Sequence, residues 1–359
     1  MFHRIEQGQL GKYRGLNNGL GRINNHIYNF QRKWYYLIGG LSNSGKTTFV
    51  DFMLLNAIRD AEQQGIKYDI FYYSYEIDEE TKYIQWLSNY IYTAFGVEIP
   101  PEKIGGLGDY RLTPEEYILV KKAIPKFEEI FKKIKFRFDP TNPTGIYREL
   151  MQYYDSTGEF IKEKFSGVND FGNPEEKERI TGYKQHDDRY VVVVIDHIAL
   201  LNCERKFSLK ENIDKMSEYA VKFRNICGTT FVILQQFNQG LHAVDRKKYK
   251  GEDLLPQQSD FKDSGNPFQD SDTALGIMNP HALDLIKIIG YDTTKIKTNF
   301  RVVNIIKNRK GKSHLAYGYF YNAKACHFAI VPPASEIDID TINSINNAKF
   351  KAEASFGSS

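Results

Sequence analysis

The sequence predicts an α/β protein: a mainly parallel sheet with helices on both faces and a C-terminal antiparallel hairpin. Three observations carry this. Short apolar or β-branched runs recur along the 359 residues with helical patterns in the gaps, as buried parallel strands require. The first run, Trp34–Ile38, leads into the Gly-rich turn "GGLSNSGKTTFV", Gly39 to Val50. The last two runs, Ala316–Tyr321 and His327–Val331, follow each other with no helical pattern between them.

Between these ends the strand candidates are Ile70–Ser74, Lys135–Phe138, Val191–Ile195, Thr230–Leu234, Ala274–Met278 and Val302–Ile306. Helical patterns cover roughly Lys46–Asp60, Glu79–Phe95, Pro114–Lys133, Ile146–Tyr154 and Leu209–Cys227. In "LTPEEY" Thr113 is placed as N-cap, Pro114 in the first turn and Glu116 three residues on, a capping box. Residues 1–14 read as an arm and 155–188, rich in Gly, Asn and charge, as a surface insertion, a small hairpin. Residues 237–270 read as a long polar loop of functional type, and 334–359 as a frayed polar tail. Residues 15–333 then form one domain.

Composition is that of a globular protein: 41% hydrophobic, 26% charged, net charge +3. That charge neither requires nor excludes a nucleic-acid partner, so any basic groove must be local. Cys203, Cys227 and Cys326 show no metal-ligand or disulfide spacing and suit a reducing compartment. No signal peptide and no apolar run long enough to span a bilayer is present, so a cytoplasmic location without membrane contact is expected. Aromatic residues make up 14%, with 24 tyrosines, an excess the sequence alone does not explain.

Gly40 to Thr47 fits G-x-x-x-x-G-K-[ST], and the chemistry needs each part. Glycines permit turns that aim successive N–H groups inward at phosphate oxygens. Lys46 reaches the β- and γ-phosphates, the Thr47 hydroxyl ligates Mg²⁺, and the following helix turns its positive end to the same anion. Gly40, Ser42, Asn43, Ser44, Gly45, Lys46, Thr47 and Thr48 are therefore the candidate cradle for ATP. A chance Gly/Ser turn would not sit between a strand pattern and a helix pattern.

Other strand ends supply what such a loop needs. "VVVVIDH" ends in Asp196, a carboxylate able to hold the water shell of Mg²⁺. No Glu follows it, so the base must come from elsewhere. "IFYYSYEID" ends in Glu76, which can polarise the attacking water. "FVILQQFNQG" ends in Gln235, Gln236 and Asn238, whose amides can hydrogen-bond a γ-phosphate. "IIKNRKGKS" runs into Lys307, Arg309, Lys310 and Lys312, which on charge alone reads as a solvated hairpin. His197 reads as a packing residue.

Taken in order, these segments resemble the RecA-like motor domain of DnaB-type hexameric replicative helicases of superfamily 4. The resemblance runs from about Gly15 to Val331. It takes in "GLNNGLGRINNHIYNFQRKWYYLIGG" ahead of the P-loop, "SYEID" for the family's S-x-E segment, "VVVVIDHIALL" for the Walker B strand and "LQQFNQ" for the sensor strand. "DFKDSGNPFQDSD" matches its R-E-S-G-x-x-x-x-D-A-D loop and "KNRKG" its K-x-R-x-G hairpin. Only the P-loop is specific by itself; the other six are specific in their order.

The resemblance implies a RecA-like P-loop NTPase core acting as a 5′-to-3′ DNA helicase. Lys46 and Thr47 would hold phosphates and Mg²⁺, with Asp196 behind them. Glu76 would be the base and Gln236, more than Gln235, the sensor. Lys307 and Arg309 would reach the neighbouring subunit's ATP in a homo-oligomeric, hexameric ring. Lys262, Asp263 and Gly265 would grip the backbone of single-stranded DNA. A primase or loader is an implied partner. The sequence departs from the family pattern in the short arm, in the insertion at 155–188 and in Lys262 where Arg is common, features that suit a phage or mobile-element helicase. Two other readings stand beside it: a RecA- or KaiC-like ATPase forming filaments or rings without unwinding, and a loader that binds ATP only to assemble.

Overall fold

The computed structural model describes residues 2–168, 174–238 and 254–351. The chain opens with helix α1 (Phe2–Gln9), whose Phe2 and Ile5 side chains are exposed, and reaches the body through the short α2 (Asn24–Ile27). Strand β1 (Tyr35–Gly40) is buried at every residue and feeds the nineteen-residue helix α3 (Lys46–Gln64). Then come β2 (Lys67–Ser74), α4 (Glu79–Phe95), α5 (Pro101–Ile104), α6 (Pro114–Phe131), β3 (Ile134–Arg137) and α7 (Pro143–Thr157). The capping box at Thr113 and Glu116 is formed as the sequence predicts.

An antiparallel hairpin, β4 (Gly158–Val168) and β5 (Pro174–Gln185), makes up the expected insertion. Its base is anchored by Tyr183, which packs on Tyr154 and Phe160. Its outer half carries the cross-strand pairs Lys162–Glu178, Lys164–Glu176 and Arg179–Glu163. Such solvent-exposed pairs contribute at most about 1 kcal/mol each, so the anchor matters more than the ladder.

The core resumes with β6 (Arg189–Asp196), α8 (Leu209–Cys227), β7 (Thr230–Gln236), α9 (Asn266–Asp270) and β8 (Thr273–Met278). The two-residue strands β9 (Lys287–Ile288) and β10 (Tyr291–Asp292) pair with each other. The antiparallel strands β11 (Phe300–Asn308), β12 (Leu315–Asn322) and β13 (His327–Ile330) complete the sheet, in the order β13-β12-β11-β8-β1-β7-β6-β2-β3. The six strands from β8 to β3 are parallel. Alternation sends Tyr36 and Ile38 of β1 to the face covered by α3, α4 and α6, and Tyr35 and Leu37 to the face covered by α7 and α8.

Tyrosine abundance has a structural cause. Tyr36, Tyr72, Tyr73 and Tyr319 fill the core with their rings while their hydroxyls donate to Asn29 O, Asp51, Glu149 and Leu20 O. Two expectations need correction. Of the expected frayed tail at 334–359, residues 352–359 lie outside the described residues, but 334–351 do not fray: α10 (Ile339–Asn346) buries Ile345 completely, and Phe350 packs edge-on against Phe320. Of the expected structureless loop at 237–270, residues 239–253 lie outside the described residues. The remainder is ordered, because Phe237 and Phe261 stack edge-to-face at 5.0 Å over Gly39, where a Cβ would come within 2.2 Å of the Phe237 ring. No described helix is long and apolar enough to cross a membrane.

Candidate active site

In a parallel sheet the loops at the carboxyl ends of the strands converge, and five of the expected segments meet there. The P-loop leaves β1 at Gly40, where a Cβ would lie 2.5 Å from Ser44 Oγ and 2.8 Å from Ile277 Cγ2, so a larger residue would force its neighbours to shift. Asn43 and Gly45 take positive φ, 60° and 94°. Lys46 is buried and donates from Nζ to Leu41 O at 3.0 Å, folding back across the loop. Burial lowers its pKa, and the Glu76 and Asp196 carboxylates oppose the shift, which places both acids within its field. Ser44 Oγ is buried without a partner.

Asp196 ends β6 beside Ser74 of β2, and Tyr75 N donates to Asp196 O at 2.9 Å. The side chain is fully buried, and neither carboxylate oxygen meets a hydrogen-bond partner. Burial pushes its pKa up to about 6; Lys82 and the Thr47 hydroxyl resist the rise, while Asp51 and Glu76 add to it. Two orphaned carboxylate oxygens and a threonine hydroxyl at the head of α3 are a donor set that fits Mg²⁺, which typically takes one or two protein oxygens and completes its shell with phosphate and water. Glu76 lies exposed two residues beyond the Ser74–Asp196 pairing, close enough for its charge to act on Lys46.

The two glutamines ending β7 divide their contacts. Gln236 donates from Nε2 to Ser42 Oγ at 2.6 Å, on the P-loop. Gln235, buried, donates from Nε2 to Lys262 O and, at 2.9 Å, to Ser264 O, and Lys262 N donates to Gln236 O at 3.0 Å. The segment of Lys262, Asp263 and Gly265 is thus stitched along the end of β7 with these three residues exposed, Asp263 at φ 73°. Asn238 points elsewhere, donating to Ser259 O. His197 is partly buried, and its pKa is lowered chiefly by burial.

Lys307 and Arg309 are not part of this cluster. Strand β11 runs antiparallel to β8, so Asn308 pairs with Thr273, which pairs with Tyr36 near the start of β1. Gly40 lies about 13 Å further along β1 at roughly 3.3 Å per residue. At this far end Lys307 Nζ donates to Phe268 O and Gln269 O at 2.6 and 2.7 Å, and Arg309 Nη2 to Gln269 O at 2.7 Å. Burial first, then the Arg309 charge, lowers the Lys307 pKa to about 8.

Sequence reasoning missed one part of the site. Arg301 of β11 donates from Nε to Ser44 O at 2.9 Å and lies 4.8 Å over the Tyr321 ring. Tyr321 stacks on Phe328 at 4.7 Å, and both rings come within 3.9 Å of where a Cβ on Gly45 would stand. The pair flanks the P-loop on the side opposite Gln236. Nothing in the local pattern marks these residues, since both sit in ordinary strand positions and meet only through the β11–β12 pairing.

No family model matches this chain, and no curated protein matches it. Solved structures do. The ATPase domain of G40P superposes with a TM-score of 0.65 at 18% identity, covering 92% of this chain and 96% of that one. A DnaB-like replicative helicase, solved with attention to its interactions with primase, gives 0.65 at 16% identity over 92% of this chain and 66% of that one. A KaiC-like protein of Pyrococcus horikoshii OT3 gives 0.48 at 14% identity. At such identities the likeness speaks for the fold: this chain has the RecA-like α/β fold of the ATPase domains of DnaB-like replicative helicases.

Proposed function

We propose that the protein is an ATP-hydrolysing DNA helicase motor that translocates on single-stranded DNA as a homo-oligomeric ring. The observation that carries the reading is the division of labour between neighbouring residues: Gln236 reaches the nucleotide loop at Ser42 while Gln235 holds the exposed loop of Lys262. Departure of the γ-phosphate from one glutamine then bears directly on the loop held by the other. That is the link a translocating motor needs between hydrolysis and grip.

ATP would bind with its phosphates in the cradle from Gly40 to Thr48. Thr47 and Asp196 would hold Mg²⁺, which supplies charge neutralisation at the phosphates. Glu76 would take the proton of the attacking water. Lys307 and Arg309, at the far end of the sheet, would serve the ATP of an adjacent subunit. The 5′-to-3′ direction, the hexamer and a primase or loader partner are part of the same proposal and rest on the family resemblance. The second reading, a RecA- or KaiC-like ATPase that does not unwind, shares every nucleotide contact and differs at the DNA. Single-stranded DNA should stimulate the purified protein's ATPase, and a forked duplex should be opened only with ATP and Mg²⁺. Stimulation without strand separation, with filaments seen by negative-stain imaging in an ATP analogue, would select the second reading.

A further inference from the structure

Behind the metal pair lies a buried charged cluster that the nucleotide contacts do not use. Lys82 of α4 is wholly buried and donates from Nζ to Asp51 Oδ2 at 3.0 Å. Tyr72 of β2 donates its hydroxyl to Asp51 Oδ1 at 2.7 Å and lies 3.1 Å from Lys82 Nζ. Asp51 stands four residues after Thr47 in α3, one turn below it on the same helical face. Lys82 stands in the first turn of α4, directly after the turn that carries Glu76.

That turn, residues 75–78, is fixed at both ends. At the strand end Tyr75 N donates to Asp196 O at 2.9 Å, and Ser74 Oγ to Ile77 O at 2.8 Å. At the helix end Asp78 caps α4 through Thr81 N at 3.0 Å, and Lys82 ties the same helical turn to α3. A buried ion pair is a poor source of stability, because desolvation of both charges offsets their attraction and an apolar pair of similar volume does as well. What it offers over an apolar pair is direction: one ammonium, one carboxylate and one hydroxyl satisfy each other in one arrangement only.

We propose that Lys82, through Asp51 and Tyr72, is a positioning residue that sets the height of the Glu76 turn over the Thr47 end of α3. The proposal rests on the assignment of Glu76 as base. It concerns a function the pair performs without touching nucleotide, so it separates kcat from binding.

The test replaces the pair by apolar residues, Asp51→Leu with Lys82→Met, which avoids leaving one buried charge alone. Thermal unfolding should show a midpoint no lower than the parent's. Lys82 and Asp51 act on Asp196 in opposite senses, so removing both leaves its charge surroundings nearly balanced, and affinity for a fluorescent ATP analogue with Mg²⁺ should change little. Amide exchange at residues 75–78 should quicken, and kcat should fall on the order of tenfold to a hundredfold, the loss expected when a reacting group is misplaced by about an ångström. In a Glu76→Gln background the pair replacement should cost nothing further, since the group being positioned is gone. Tyr72→Phe, which deletes one leg and keeps the ion pair, should lower kcat a few-fold with affinity again little changed, and it carries the test if the pair variant does not fold. A parent-like kcat in a folded pair variant beside an inactive Glu76→Gln would overturn the positioning role alone. Normal turnover by Glu76→Gln itself would overturn the base assignment and this inference together.

Discussion

Arg309 is tied twice to Asp272: its backbone N donates to Asp272 O at 2.8 Å, and its guanidinium lies 3.6 Å from Asp272 Oδ1. Asp272 also receives Tyr35 N at 2.9 Å and Arg224 at 2.9 Å, at the start of β1. The guanidinium therefore stands at the end of the sheet opposite its own P-loop. If it acts on nucleotide, it acts across an interface. Arg309→Ala should bind ATP nearly as well as the parent and hydrolyse it roughly 10³-fold or more slowly, the scale of a donated arginine. Lys46→Ala should be inactive for the opposite reason. Mixing the two, each dead alone, should restore ATPase at interfaces that combine a sound P-loop with a sound arginine. No recovery at any ratio, with mixed assembly verified by native mass spectrometry, would remove the interface role.

Gln236 should uncouple rather than inactivate. Its 2.6 Å hydrogen bond to Ser42 is made by an exposed amide, and removing it leaves no buried group unsatisfied. Gln236→Ala should keep the fold and its affinity for an ATP analogue while losing most of the stimulation by single-stranded DNA. Steady-state ATPase with and without an oligonucleotide measures this, and stimulation equal to the parent's would place the link elsewhere.

Lys262 is exposed on the loop held by Gln235. Lys262→Glu should weaken single-strand binding and lower the slope of log affinity against log salt by about 0.7 for each phosphate that is no longer neutralised. Basal ATPase should persist. Unchanged affinity and slope would move the DNA grip off this loop.

A pH effect on stability should come from His327, which lies behind the P-loop helix and is used by none of the proposed nucleotide contacts. Its ring packs edge-on to Phe52 at 4.8 Å and beside Tyr92 at 5.0 Å. Burial first, then the Arg59 charge, pushes its pKa down from the ordinary 6.5 to about 4. As pH falls below 6.5 the unfolded chain takes up the proton first, so stability is full above 6.5 and drains away toward 4. At about 1.4 kcal/mol per pH unit the loss approaches 3 kcal/mol at full burial; the ring keeps some solvent contact, which brings it to about 2 kcal/mol. His327→Phe should flatten that part of the stability profile. Equal slopes for parent and variant between pH 6.5 and 4 in urea unfolding would show that other groups carry it.

The strands, the main helices, the P-loop and the capping box at Thr113 were legible because each is written in local pattern: period, cap and turn chemistry act over a few residues. Asp196 and Glu76 were legible for a related reason, since a carboxylate after an apolar run must emerge at a strand's carboxyl end. Residues 334–351 were misread because Ile345 and Phe350 are isolated apolar residues in a polar stretch, and only the surface built by Phe300, Phe320 and their neighbours makes them core.

What the sequence by itself determined is the set of candidate groups: a Gly-rich loop of P-loop spacing, two carboxylates, two amides and a basic hairpin, all in a fixed order along the chain. What only the tertiary structure decided is which of these share a place. Strand order put Ser74 beside Asp196, and the reversal of β11 carried Lys307 and Arg309 to the far end of the sheet. The same pairing brought Arg301 and Tyr321 to Gly45, and the packing of α4 on α3 brought Lys82 to Asp51. These are long-range contacts between residues whose neighbours in sequence carry no sign of them, because pairing register and helix packing are set by the whole sheet and not by any local stretch.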